Sequence, residues 1–95
     1  MGNTLYLGLT GELDEHASDY TRGTLDDIID RHRMLKVIMD LSNLSFMDST
    51  GVGVLIGRYK RLKNRNTVVF VKNPSPTIDK IFQMSGLYEI MPRVV

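Results

Sequence analysis

The 95-residue chain is long enough for one compact domain and too short for two, and its 42% hydrophobic and 24% charged content excludes disordered, fibrous and low-complexity classes. Twelve Lys and Arg against eleven Asp and Glu leave a formal net charge of +1, so no global field draws the chain to nucleic acid or to an anionic membrane. Cysteine is absent, which removes disulfides, thiolate chemistry and Cys-based zinc sites and fits a cytoplasmic setting; with neither a basic leader nor an apolar run of about 20 residues, secretion and membrane insertion are not expected.

Thr4 to Thr10 alternates, with Leu5, Leu7 and Leu9 on one side and Tyr6, Gly8 and Thr10 on the other, as a strand with one covered face does. Gly11-Glu12-Leu13-Asp14 is expected to break it, and the Asp14 carboxylate suits the unpaired N–H groups of a helix beginning near Glu15. In that helix Ala17, Tyr20, Thr21, Thr24, Leu25, Ile28 and His32 recur at spacings of three and four and form the inward stripe. Lys36 to Leu41 is short and partly β-branched, so it reads as a second, largely buried strand; Ser42 to Asp48 reads as a loop with Leu44, Phe46 and Met47 tucked under it.

Gly51 to Lys63 predicts a helix that is apolar nearly all round at first and charged at its end. The basic run of Arg58, Lys60, Arg61, Lys63 and Arg65 fits a solvated end that complements the negative C-terminal pole of that helix. Thr67 to Val71 is a strand by composition. Ser75-Pro76 then writes a helix start, Ile78, Ile81 and Phe82 its apolar stripe, and Gly86 its left-handed stop. Leu87 to Met91 is expected to form a last short strand, limited by Pro92. Strands thus alternate with helices, which predicts a single α/β domain, a mainly parallel sheet of about four strands with helices packed on it through right-handed crossovers.

In such a sheet, ligand and partner sites gather where strands hand over to helices. Asp48-Ser49-Thr50-Gly51 is such a junction, and Ser49 falls at or beside the helix N-cap, where free N–H groups and the positive helix pole suit an anion on its oxygen. Local chemistry leaves two readings open: Ser49 as a simple cap, or Ser49 as a phosphate acceptor. Gly51, Gly53 and Gly57 lack the spacing, the Lys-Ser/Thr pair and the downstream acid of a phosphate-binding loop, and close helix-to-sheet packing explains them better. His16 and His32 stand at opposite ends of a predicted helix, too far apart to share a metal, and no metal or other cofactor is expected. Neither an elbow motif nor a base beside Ser49 supports a hydrolytic triad.

Three segments taken together are more specific. Thr10-Gly11-Glu12-Leu13-Asp14, the run from Leu44-Ser45-Phe46-Met47-Asp48-Ser49-Thr50-Gly51 to Lys60, and Met84-Ser85-Gly86-Leu87 closely resemble the sporulation anti-sigma factor antagonists of the STAS superfamily, over nearly the whole chain. The resemblance implies a STAS domain over residues 1–95, and a partner switch. The unphosphorylated antagonist would bind an anti-sigma factor that is also a serine kinase, freeing the sigma factor; phosphorylation on the Ser after the Asp, here Ser49, would end the association, and a phosphatase would reset it. The chain would then be a substrate rather than an enzyme. Asp14, Asp48, Ser49, Thr50 and Gly51 would form the partner face, with Thr50 a second hydroxyl competing for the phosphosite. Relatives carry an extra strand before the first motif and a further helix after the last strand. This chain is expected to lack both, which leaves a sheet edge open to pairing and the oligomeric state unassigned. A constitutive interaction or small-ligand module of the same fold, and a nucleotide-binding enzyme fragment, are the competing classes.

Overall fold

The covered leucines of the first segment set the layout. In the computed structural model, which describes residues 3–95, they lie in β1 (Thr4–Leu13). There follow α1 (Ser18–Arg31), β2 (Lys36–Met47), α2 (Ser49–Lys63), β3 (Val68–Lys72), α3 (Pro76–Ser85), a 3-10 turn (Leu87–Glu89) and β4 (Arg93–Val94). Every pairing is parallel and the sheet order is β1-β2-β3-β4. Because that order never reverses, right-handed crossovers put the helices on one face. Burial agrees: Leu7, Leu9, Val37, Met39, Leu41, Val69 and Val71 are buried and join Leu25, Ile29, Leu55, Ile78 and Phe82 of the helices in one core. Tyr6, Ile38, Val68 and Phe70 occupy the alternate positions on the open face, where Lys36 Nζ lies over the Phe70 ring and Lys72 Nζ over that of Tyr6. The α/β domain with a parallel sheet of four strands is thus the fold that the chain adopts.

Several boundaries differ from the sequence reading, each for a tertiary reason. β1 does not stop at Thr10: Gly11, at φ +85°, stays paired with Leu44, and pairing with β2 continues to Leu13, with register shifts between Gly8 and Thr10 and between Gly11 and Glu12. The same pairing draws Ser42 to Met47 into β2, so the expected loop is strand; Leu44 and Met47 are buried but Phe46 is 43% exposed. α1 starts at Ser18, not near Glu15, because the Asp14 carboxylate accepts from the N–H groups of His16 and Ala17 and holds a separate turn. The inward face of α1 is Ser18, Leu25 and Ile29, while Tyr20, Thr24 and His32 are exposed. Leu87 to Met91 is not a strand: Leu87 and Met91 are core residues around the 3-10 turn, and the last strand follows Pro92, whose carbonyl accepts from Val71 N–H.

The basic run is only in part a solvated helix end: Lys60 and Lys63 are exposed near the C-terminus of α2, whereas the arginines are engaged with α1 and the turn after it. Arg58 is buried, its Nε 2.9 Å from Asp26 Oδ1 of α1 in an ion-pair contact too poorly aligned for a hydrogen bond. Burial lowers the Arg58 pKa from its ordinary value, and Asp26 pulls the other way. Arg61 reaches the same carboxylate at 3.1 Å and also Asp30, and Arg65 donates to the carbonyls of Ile29 and His32, both at 2.8 Å. These arginines therefore clamp α2 and the following turn to α1, and Arg65 adds hydrogen bonds to carbonyls at the end of α1.

At the far end of the sheet, the Tyr88 hydroxyl donates to Asp79, which Arg93 also approaches at 3.4 Å. Partial burial first, and the Asp79 hydrogen bond second, push the Tyr88 phenol up to about 12. An unfolded tyrosine ionises near pH 10 (about 10), so between the two values the folded chain holds a proton that the unfolded chain has lost, and stability falls as pH rises. Denaturation measured across that alkaline interval is expected to show this fall, and Tyr88→Phe is expected to flatten it. Among the described residues, no helix is long and apolar enough to cross a membrane.

Candidate functional site

Parallel strands deliver their C-terminal ends to one end of the sheet, so Leu13-Asp14 after β1 and Met47-Asp48 after β2 emerge side by side. Asp48 has extended backbone and caps α2, its Oδ1 accepting from Gly51 N–H at 2.9 Å. Its other oxygen accepts from Glu15 N–H at 3.2 Å, and its own N–H donates to the Leu13 carbonyl at 3.3 Å. One carboxylate thereby fixes the start of α2 and ties it to the turn organised by Asp14. Asp48→Ala removes both side-chain bonds and is expected to lower stability by about 1–2 kcal/mol; Asp48→Asn, which keeps a cap oxygen, is expected to lose less in the same denaturant titrations.

With Asp48 as the cap, Ser49 is left free of that task. It is the first residue of α2 and Thr50 the second; both are exposed, and among the described residues neither side chain makes a hydrogen bond within the protein. The first intrahelical bond is donated by Val52 to the Asp48 carbonyl, so the N–H groups of Ser49 and Thr50 belong to the unpaired positive end of the helix. Glu12, Asp14, Glu15 and Asp48 make this end acidic, whereas the basic residues of α2 sit at its other terminus. The exposed Phe46 ring, in register with Glu12, adds an apolar contact that the sequence reading had buried.

Gly51 lies beneath these residues and is buried. A β-carbon there would stand 2.1 Å from the Leu13 carbonyl oxygen and 2.7 Å from Met47 Cγ, so the bare backbone is what lets α2 sit against the end of β1. Gly53 and Gly57 do not share that reason, since nothing lies within 4 Å of a β-carbon at either. With Ser49 they recur at every fourth position and leave one side of α2 without bulk. Of the residues singled out from the sequence, the fold thus brings Asp14, Asp48, Ser49 and Thr50 to one surface and places Gly51 under it. His16 and His32 stay apart, and among the described residues no three His, Asp or Glu side chains converge to hold a metal ion. The signal for Asp48 was present in the sequence, because Asp caps as well as Ser does and precedes it.

Comparison with known proteins matches the STAS domain model to residues 2–94. The anti-sigma F factor antagonist of Paenibacillus polymyxa is 41% identical over 88 residues, spanning 93% of this chain and 75% of that protein. Among solved structures, the unphosphorylated form of the anti-sigma factor antagonist SpoIIAA superposes with a TM-score of 0.80 at 37% identity, covering all of this chain and 83% of that one. The phosphorylated form of the Bacillus cell fate determinant SpoIIAA superposes with a TM-score of 0.71 over all of this chain and 86% of that one, again at 37% identity.

Proposed function

We propose, because this chain belongs to the STAS domain family and presents a free hydroxyl at a helix start, that it is an anti-sigma factor antagonist switched by phosphorylation of Ser49. The unphosphorylated surface of Asp14, Asp48, Ser49, Thr50 and Phe46 binds an anti-sigma factor and releases the sigma factor held by it. That partner is also a serine kinase, and a phosphatase restores the hydroxyl; the chain is their substrate and carries out no chemistry itself. The observation that supports this reading is the division of labour at the start of α2, where Asp48 caps and Ser49 is left exposed and unbonded. A relative 41% identical over 88 residues is named as an antagonist of an anti-sigma factor, and SpoIIAA, 37% identical, has been solved in both phosphorylated and unphosphorylated forms.

The switch follows from electrostatics. An acceptor hydroxyl must meet the γ-phosphate of a nucleotide. After transfer, phosphoserine and Asp48 would face the remaining diphosphate, and like charges brought together at an interface cost several kcal/mol. Competition tests the assignment: the unphosphorylated chain added to a complex of anti-sigma factor and sigma factor should displace the sigma factor, and Ser49→Ala should do so while resisting inactivation by kinase and ATP. Failure of the unmodified chain to displace sigma factor from a competent complex would contradict the antagonist role.

A further inference from the structure

Asp48 and Ser49 are adjacent, and either residue type caps a helix well. Only one of two neighbours can hold the cap, because the cap residue has non-helical backbone and the next is the first helical residue. Which one holds it decides the state of the acceptor hydroxyl. A serine at the cap turns its Oγ over the helix end, where it accepts from backbone N–H groups; a serine one place further on is released from that task.

The fold gives the cap to Asp48. Its N–H donates to the Leu13 carbonyl at 3.3 Å, at the end of the β1–β2 pairing, and its backbone is extended at φ −103° and ψ −173°. Oδ1 accepts from Gly51 N–H at 2.9 Å and Oδ2 from Glu15 N–H at 3.2 Å. These bonds use both carboxylate oxygens, where a serine offers one. Loss of the Asp48 carboxylate would leave Gly51 N–H without its acceptor. Gly51 is buried against the Leu13 carbonyl and Met47, so this N–H is poorly placed to pair with water instead. Ser49 stands two residues before Gly51 and three before Val52, the spacings at which a cap side chain accepts from the helix. A helix that began one residue later would keep Gly51 in place and make Ser49 the cap.

We propose, resting on the reading of Ser49 as the phosphate acceptor, that Asp48 is a positioning residue for that phosphorylation: it occupies the cap and so keeps Ser49 Oγ free to react. In the transfer, Oγ bonds to the γ-phosphorus of ATP, the bond from that phosphorus to the bridging oxygen breaks, ADP departs, and the hydroxyl proton passes to a base on the kinase. An Oγ that accepts N–H bonds at a cap has committed the electron pairs needed for attack.

Asp48→Ala should move the backbone and β-carbon chemical shifts of Ser49 from helical towards extended values in the chain alone, with Thr50 and Gly51 still helical. With the anti-sigma kinase and ATP, kcat for phosphorylation of Ser49 should fall about fivefold, the population shift that a typical cap preference produces. Asp48→Asn, which keeps a cap oxygen without the charge, should return Ser49 to helical shifts and recover most of kcat. Helical Ser49 shifts in Asp48→Ala, or a raised KM with kcat unchanged as for a lost docking contact, would overturn the role of Asp48 while leaving Ser49 as the acceptor. Absence of phosphate from Ser49 of the unmodified chain would overturn the acceptor reading on which the proposal rests.

Discussion

Gly51→Ala is expected to destabilise the domain by about 2–3 kcal/mol, a fall in midpoint temperature of about 10–20 °C for a chain of this size. The added carbon would stand 2.1 Å from a backbone oxygen, not from a side chain able to swing aside. That oxygen belongs to Leu13, which is paired with Met47 across the sheet and accepts from Asp48 N–H, so neither partner can yield alone. The helix start must lift, and with it the cap that positions Ser49. Gly53→Ala, on the same helix with open space around it, supplies the contrast, because replacing an exposed helical glycine is expected to gain about 0.5–1 kcal/mol. Thermal melts of the two variants should therefore move in opposite directions.

Phosphorylation of Ser49 is expected to weaken partner binding by about 100-fold or more, equivalent to about 3 kcal/mol, while changing domain stability by less than about 1 kcal/mol. The phosphate adds about −1.5 to −2 charges to a surface that already carries Asp14, Glu15 and Asp48. In the free protein that charge stays hydrated and the N-terminal pole of α2 offsets part of it. Both reliefs diminish at an interface, where a dianion has to shed water. Titration calorimetry of the phosphorylated and unmodified chains against the anti-sigma factor, paired with melts of each, separates the two effects. Ser49→Asp is expected to reproduce only part of the loss, because one carboxylate has less charge and fewer oxygens than a phosphate.

Local signals in the sequence specified a good part of this. Alternation in Thr4 to Thr10 and the composition of Thr67 to Val71 located strands, and Ser75, Pro76 and Gly86 bounded α3 as expected, with Ser75 accepting from Ile78 N–H and Gly86 at φ +77°. What stayed hidden depended on contacts between distant segments. The continuation of β1 past Gly11 rests on pairing with residues more than thirty positions away, while Gly11 read locally looks like a stop. Arg58 looked solvated because its partner, Asp26, lies on another helix. At the site, the junction and its Ser were legible, but two neighbouring residues, Asp48 and Ser49, both suit a cap. Only the backbone assigns that task to Asp48, and the exposure of Phe46 depends on how the end of β2 meets β1.

In the proposed switch, Ser49 carries the regulatory phosphate. Incubating the chain with the anti-sigma kinase and ATP, then measuring intact mass and mapping peptides by mass spectrometry, tests it most directly. A single added phosphate located on Ser49, and none on Ser49→Ala, is the expected result. A phosphate found on Thr50 instead, or an unmodified chain in the presence of a demonstrably active kinase, would contradict it.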